Sequence, residues 1–235
     1  MYQLFNTPAW FNGWDLVFDG IGLLVALFIA MYSWRIYKIN KENRFGYFAF
    51  AFILVTLGFL FKIFTSGVVY YTPVRDTVLN VLRPAVGEHL SLTYLYYRAG
   101  FFLQMIALLG AWLLIFFVSQ KPRQRLQRFD EVTQIALYIY FVFLISVVSN
   151  FEYYVFYLTS SVLLGLIILN YYKNYLNTNK NKKAYLVMLS FLFVLIGNLF
   201  FIFVFLFKDL YVIGEMFQLI GFLILLYTYH KIIKR

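Results

Sequence analysis

Seven stretches of the chain stay apolar for about twenty residues at a time, and no other feature restricts its folding as much. They cover 15–36, 47–71, 96–118, 132–149, 152–172, 184–207 and 211–230. A helix of roughly 20 apolar residues spans the hydrocarbon layer of a bilayer. Inside that layer a spanning segment must satisfy its own backbone polar groups, which a helix does. The composition agrees: 63% of residues are hydrophobic and 13% charged, against about 45–50% and about 25% in soluble chains. The expected fold is all-α, a polytopic integral membrane protein whose seven-transmembrane-helix bundle forms a single domain over 1–235. The fourth span is the shortest, and Ser149-Asn150-Phe151 joins it to the fifth. The first 14 residues hold neither a basic stretch nor a cleavage site, so no signal peptide is expected.

A net charge of +10 suggests nucleic acid until the charges are placed. Arg35, Lys38, Lys41 and Arg44 follow the first span, and Lys121, Arg123, Arg125 and Arg128 follow the third. Lys173, Lys180, Lys182 and Lys183 follow the fifth, while Lys231, Lys234 and Arg235 end the chain. These are 15 of the 20 basic residues, all on one side if the spans alternate. Arg75, Arg83, Arg98 and Lys208 fall on the other side. Positive loops stay cytoplasmic. The expected topology therefore has the N-terminus outside and the C-terminus inside, in the cell membrane. The run KPRQRLQR (121–128) reads as a solvated loop that attracts anionic lipid. Its functional reading is a docking surface for a cytoplasmic or membrane protein partner. No nucleic-acid partner is expected. On the outer side, Val78, Leu79, Val81 and Leu82 in the long 73–95 loop suggest a short surface helix, a lid or part of a ligand entrance.

Within the spans the polar residues form a pattern. The stretch IGEMFQLIGF (213–222) carries Glu215, Gln218 and two glycines among apolar residues. At about 100° per residue, Gly214, Glu215, Gln218 and Gly221 share an arc of about 120°. Glycine lets helix backbones approach closely, and a buried glutamine bonds across helices. Packing is the plain role of Gly214, Gln218 and Gly221. Glu215 is costlier to place, since a charge at mid-bilayer costs about 2.5–3.5 kcal/mol on insertion scales. At about 1.5 Å per residue, Glu215 and Lys62 each lie about 22 Å above the inner ends of their spans. Asp19 lies slightly higher, and Gln104 and Asn198 fall at comparable depth. Asp19, Lys62, Gln104, Asn198, Glu215 and Gln218 thus form one layer in the outer half of the membrane. They are the candidate ion-pair network or ligand site, reached by a small ligand from outside. Arg98 and Glu152 read as interface anchors. Tyr70, Tyr71, Tyr94, Tyr96, Tyr97, Tyr153, Tyr154 and Tyr157 read as an outer aromatic belt.

Several chemistries lack their residues. There is no cysteine, and the two histidines are His89 and His230, so no metal site and no cofactor are expected. The last span has no lysine before Lys231 for a retinal Schiff base. No phosphate-binding glycine loop, HExxH or GxSxG occurs. The expectation is that the protein is not an enzyme.

Seven helices, an outside N-terminus and a last helix reading GEMFQLIGFLILLYTYHKIIKR (214–235) resemble the seven-helix sensor modules that precede histidine kinase domains in microbes. The resemblance rests on helix number, orientation and the Gly-x-x-x-Gln-x-x-Gly rhythm of that helix. It implies a stand-alone sensor or accessory membrane subunit, here without a kinase domain. It implies no ligand and no binding residue. The leading expectation is a non-enzymatic membrane sensor or accessory subunit with an outward-facing polar pocket, signalling through a separate partner. The alternative is a small secondary transporter or ion-coupled carrier using Glu215 and Lys62. An intramembrane enzyme ranks last, for want of a nucleophile.

Overall fold

The computed structural model describes residues 8–11, 13–70, 77, 92–120 and 127–233. It is helical, with no strand among the described residues. A 3-10 turn at Ala9–Phe11 precedes α1 (Trp14–Asn40) and α2 (Asn43–Tyr70). Then come α3 (Leu92–Ser119) and α4 (Gln127–Phe143), the latter prolonged by a π-helical turn at Leu144–Val148. The chain continues in α5 (Tyr153–Asn177), in α6 (Lys182–Ile202) with a 3-10 turn at Phe203–Phe205, and in α7 (Asp209–Ile233). The surface helix expected around Val78–Leu82 and most of the basic run 121–128 lie outside the described residues.

The helices run past their apolar stretches. Arg35 and Lys38 lie within the last turns of α1 rather than after it, and Arg44 lies in the first turn of α2. Lys173 belongs to α5, Lys182 and Lys183 open α6, and Lys231 is in the last turn of α7. Charge does not stop a helix; the long stems of lysine and arginine carry their charged ends to the interface. The stops come from the backbone. Lys41 adopts the left-handed conformation (φ 57°), and its N–H donates to Tyr37 O at 2.8 Å. Only Lys41 and Glu42 therefore separate α1 from α2. Asn181 caps α6, its side chain accepting from the Lys183 N–H at 3.0 Å.

Six helices close a ring: α1 packs on α2, α2 on α3, α3 on α5, α5 on α6, α6 on α7, and α7 returns to α1. A few polar contacts set its two ends. At the upper end the Trp10 indole donates to Asp209 Oδ1 at 3.2 Å, and Arg98 donates to Asn150 Oδ1 at 2.9 Å. At the lower end Asn170 donates to Ser119 Oγ at 2.9 Å, and Tyr32 shares a 3.3 Å hydrogen bond with His230. α4 stands outside the ring against α3, where the Tyr138 hydroxyl donates to Ile106 O at 3.0 Å. It runs antiparallel to α3, because Asn150 beyond its end meets Arg98 near the start of α3.

Inside the ring, Phe48, Phe52, Phe59 and Trp112 pack with Phe222 and Tyr229. The outside is apolar as well: Leu24, Phe50, Leu158 and Leu223 are all exposed. A soluble bundle turns polar residues to that side. The six ring helices are each long and apolar enough to cross a membrane, and at most half of each apolar window is buried. The protein is a multi-pass helical membrane protein. The apolar part of α4, Ile135–Val148, is shorter than the six.

Candidate functional site

Glycines in α6 and α7 bring these helices together and set the direction of Glu215. A Cβ on Gly197 would lie 2.7 Å from Gly214 O, and one on Gly221 would lie 2.7 Å from Ser190 O. Both obstacles are backbone, so neither helix can yield by turning a side chain. The two glycines of IGEMFQLIGF are thus spent on α6. Glu215, about a quarter-turn round the helix, is left facing the ring interior.

There it meets α1 and α2. Lys62 Nζ donates to Asp19 Oδ1 at 2.7 Å and to Glu215 Oε1 at 2.5 Å. The three charges expected at one depth therefore touch. All are sealed: Asp19 is 0% exposed, Glu215 3% and Lys62 4%. Taking two charges out of water is expensive, and only close pairing repays it. One oxygen, Asp19 Oδ2, accepts no hydrogen bond among the described residues although it is fully buried.

A cavity lies against this network. It is lined by Lys62 and Glu215 together with Gln104 of α3, Asn198 of α6 and Gln218 of α7. Its polar lining therefore includes five of the six candidate residues, and Asp19 stands behind Lys62. Asn198 also donates to Val194 O in its own helix at 3.0 Å. The cavity volume is about 20 Å³, where roughly 10–15 Å³ is enough for one water. Aromatic rings of Phe59, Trp112, Phe156, Phe201 and Phe222 close the remaining walls. Where the sequence suggests a pocket for a small ligand, the structure holds a space of water size.

Two residues of this site escape a sequence reading. Tyr157, grouped above with the outer belt, is 5% exposed and lines the cavity, whereas Tyr154 of the same group is exposed. The ring of Tyr211, 1% exposed, lies 5.4 Å from Lys62 Nζ, within the range of a cation–π contact. Its signal was its place four residues before Glu215, on the same helix face. Arg98 and Glu152 stay apart from the site. Arg98 lies over the Phe151 ring at 5.6 Å, and Glu152 precedes α5 at the upper end.

Among the described residues no group of three His, Cys, Asp or Glu side chains is placed to hold a metal. His230 is at the lower end with Tyr32. Asp19, Lys62 and Glu215 can pair charges and exchange protons or hydrogen bonds. Family models, curated proteins and solved structures were all compared with the chain, and none matches it.

Proposed function

We propose that the protein is a non-enzymatic membrane sensor or accessory subunit that signals through a separate partner. It crosses the cell membrane seven times, N-terminus outside and C-terminus in the cytoplasm. The antiparallel course of α4 beside α3 supports the seventh crossing. Arg35, Lys38, Lys41, Arg44, Lys173, Lys180, Lys182, Lys183 and Lys231 gather at the lower end, which supports a cytoplasmic lower face. The observation that carries the sensor reading is the network Asp19–Lys62–Glu215, which joins α1, α2 and α7 where the ring closes. A stimulus from the outer side that alters this network moves α7 against α1. Both helices end among the basic residues, where a cytoplasmic or membrane protein reads the change.

The test is native mass spectrometry of the protein released gently from its own membrane. A small molecule or partner protein carried by the wild type and lost from Glu215→Gln supports the reading. A bare chain, unchanged by the substitution, overturns it.

A small carrier using Glu215 and Lys62 is the second reading, favoured by the surplus carboxylate beside the cavity. Against it, three polar residues of α2, α6 and α7 below the layer bond to their own helices. Thr56 donates to Phe52 O, Ser190 to Val187 O and Thr228 to Ile224 O. They form no ladder towards the lower end. Flux into proteoliposomes that stops in Glu215→Gln would reverse the ranking.

A further inference from the structure

The site holds two carboxyl groups and one ammonium group. With all three ionised it carries one negative charge in surroundings shielded from bulk water: Asp19, Lys62 and Glu215 are at most 4% exposed. A buried charge without a counter-charge is avoided by neutralisation. Among the described residues Lys62 is the one cation paired with the two carboxylates, so the missing positive charge is assigned to a bound species, and the geometry limits which.

A metal cation is a poor fit. Hard cations gather six or more oxygen ligands, and the ammonium of Lys62 already sits between the two carboxylates, at 2.7 and 2.5 Å. A second cation there would meet that ammonium at close range. A proton needs a single lone pair. Asp19 Oδ2 supplies one: it is buried and accepts no hydrogen bond among the described residues. The other carboxylate is better provided for, since Glu215 borders the cavity that has room for a water. We infer that the Asp19–Lys62–Glu215 network is a proton-binding site, and that the exchangeable proton sits on Asp19 Oδ2.

The step balances simply. A hydronium ion at the outer end gives up its proton and stays there as water, the proton passes to Oδ2, one O–H bond forms, and the network goes from one net negative charge to none. Asp19 lies about 7.5 Å along α1 from Trp14, taking 1.5 Å per residue over five residues, so the proton has a short way to travel. The groups facing the network are Asp15 and Asp19 of α1, Lys62 of α2, Tyr157 of α5, and Tyr211 and Glu215 of α7. Among the described residues, α3 and α6 contribute the neutral amides of Gln104 and Asn198. Asp15 already accepts the Gly13 N–H at 2.8 Å. With the proton on Asp19, Lys62 pairs chiefly with Glu215; without it, both carboxylates pull on the same ammonium. This deepens the sensor reading by naming the stimulus, and it rests on that reading only for the consequence.

The experiment is infrared difference spectroscopy of the full chain in lipid nanodiscs, titrated with acid and base. The probe is the C=O stretch of a protonated, buried carboxyl group. The expected result is a band that follows pH in the wild type, vanishes in Asp19→Asn, and in Glu215→Gln, whose network is already neutral with Asp19 ionised, appears only at lower pH. Isotope-labelled aspartate should shift the band in the wild type, an assignment that needs no variant to fold. Absence of the band at every pH overturns the inference, as does a band that ignores aspartate labelling or survives Asp19→Asn. A band abolished by sodium at constant pH overturns it too, by showing a metal cation in the proton's place. The readout involves no partner and no retained ligand, so a failed proton site and a failed sensor reading are told apart.

Discussion

α7 is held in the ring by two unlike seams. Towards α6 it presents Gly214 and Gly221, and the two backbones touch. Towards α1 and α2 it presents Glu215, and the link is an ammonium between two carboxylates. The first seam is set by shape alone and has one arrangement, because backbone atoms cannot change rotamer. The second is set by charge, and a single proton alters it. A helix with one rigid and one chargeable side is suited to move as a unit about the rigid side.

The largest effect is expected at the charged seam. Lys62→Met leaves Asp19 and Glu215 buried with their shared partner gone. Removing one partner of a buried pair costs about 3–5 kcal/mol, and the variant should melt far below the wild type or fail to accumulate in the membrane. Adding Glu215→Gln to it should recover part of the loss. Strictly additive melting shifts would mean that the 2.5 Å contact between Lys62 and Glu215 contributes no coupling.

The glycine seam comes next. Gly221→Ala sets a methyl 2.7 Å from Ser190 O and 2.8 Å from Val194 Cγ2. Overpacking of this kind costs about 1–3 kcal/mol. Gly165→Ala in α5 is the control, since nothing lies within 4 Å of the added carbon. There the gain in helix preference, about 0.5–1 kcal/mol, should leave melting unchanged or slightly raised. If both substitutions behave alike, the α6–α7 contact is not close-packed. The two seams also differ in how they answer to pH: Gly221→Ala should lower stability equally at every pH, whereas Asp19→Asn should flatten the pH dependence of melting.

The same contrast explains what was legible in the sequence. The spans were readable because roughly twenty apolar residues admit few structures in a bilayer, and the six ring helices match the long ones. The depth of Asp19, Lys62 and Glu215 was readable too, because rise per residue converts position into height. Which helix meets which was not. An apolar residue facing lipid looks the same as one facing a neighbour, so Leu24 and Val25 differ in burial and not in chemistry. The shared arc of Gly214, Glu215, Gln218 and Gly221 read as one face; in the structure it serves α6 with its glycines and α2 with its carboxylate. Tyr157 went to the belt for a related reason, since tyrosines near a helix end suit both an interface and a buried cavity wall. The helices run several residues past the apolar stretches because charged residues do not stop a helix, and the boundary at Lys41 is set by backbone conformation.

The smallest expected effect lies at the lower end, where α7 meets α1 a second time. Half-buried Tyr32 and exposed His230 share a hydrogen bond of 3.3 Å, and their rings lie 5.8 Å apart. A neutral hydrogen bond of that kind contributes about 0.5–1.5 kcal/mol, and exposure puts this one at the low end. Tyr32→Phe keeps the ring contact and removes only the hydroxyl, so the melting temperature should barely move. If α7 shifts against α1 when the charged seam changes, this contact lies on the moving boundary. Tyr32→Phe should then leave stability intact but alter the distance between spin labels placed at Lys38 and Lys231 on acidification. An unchanged distance in wild type and variant alike would mean that the lower end does not follow the upper seam.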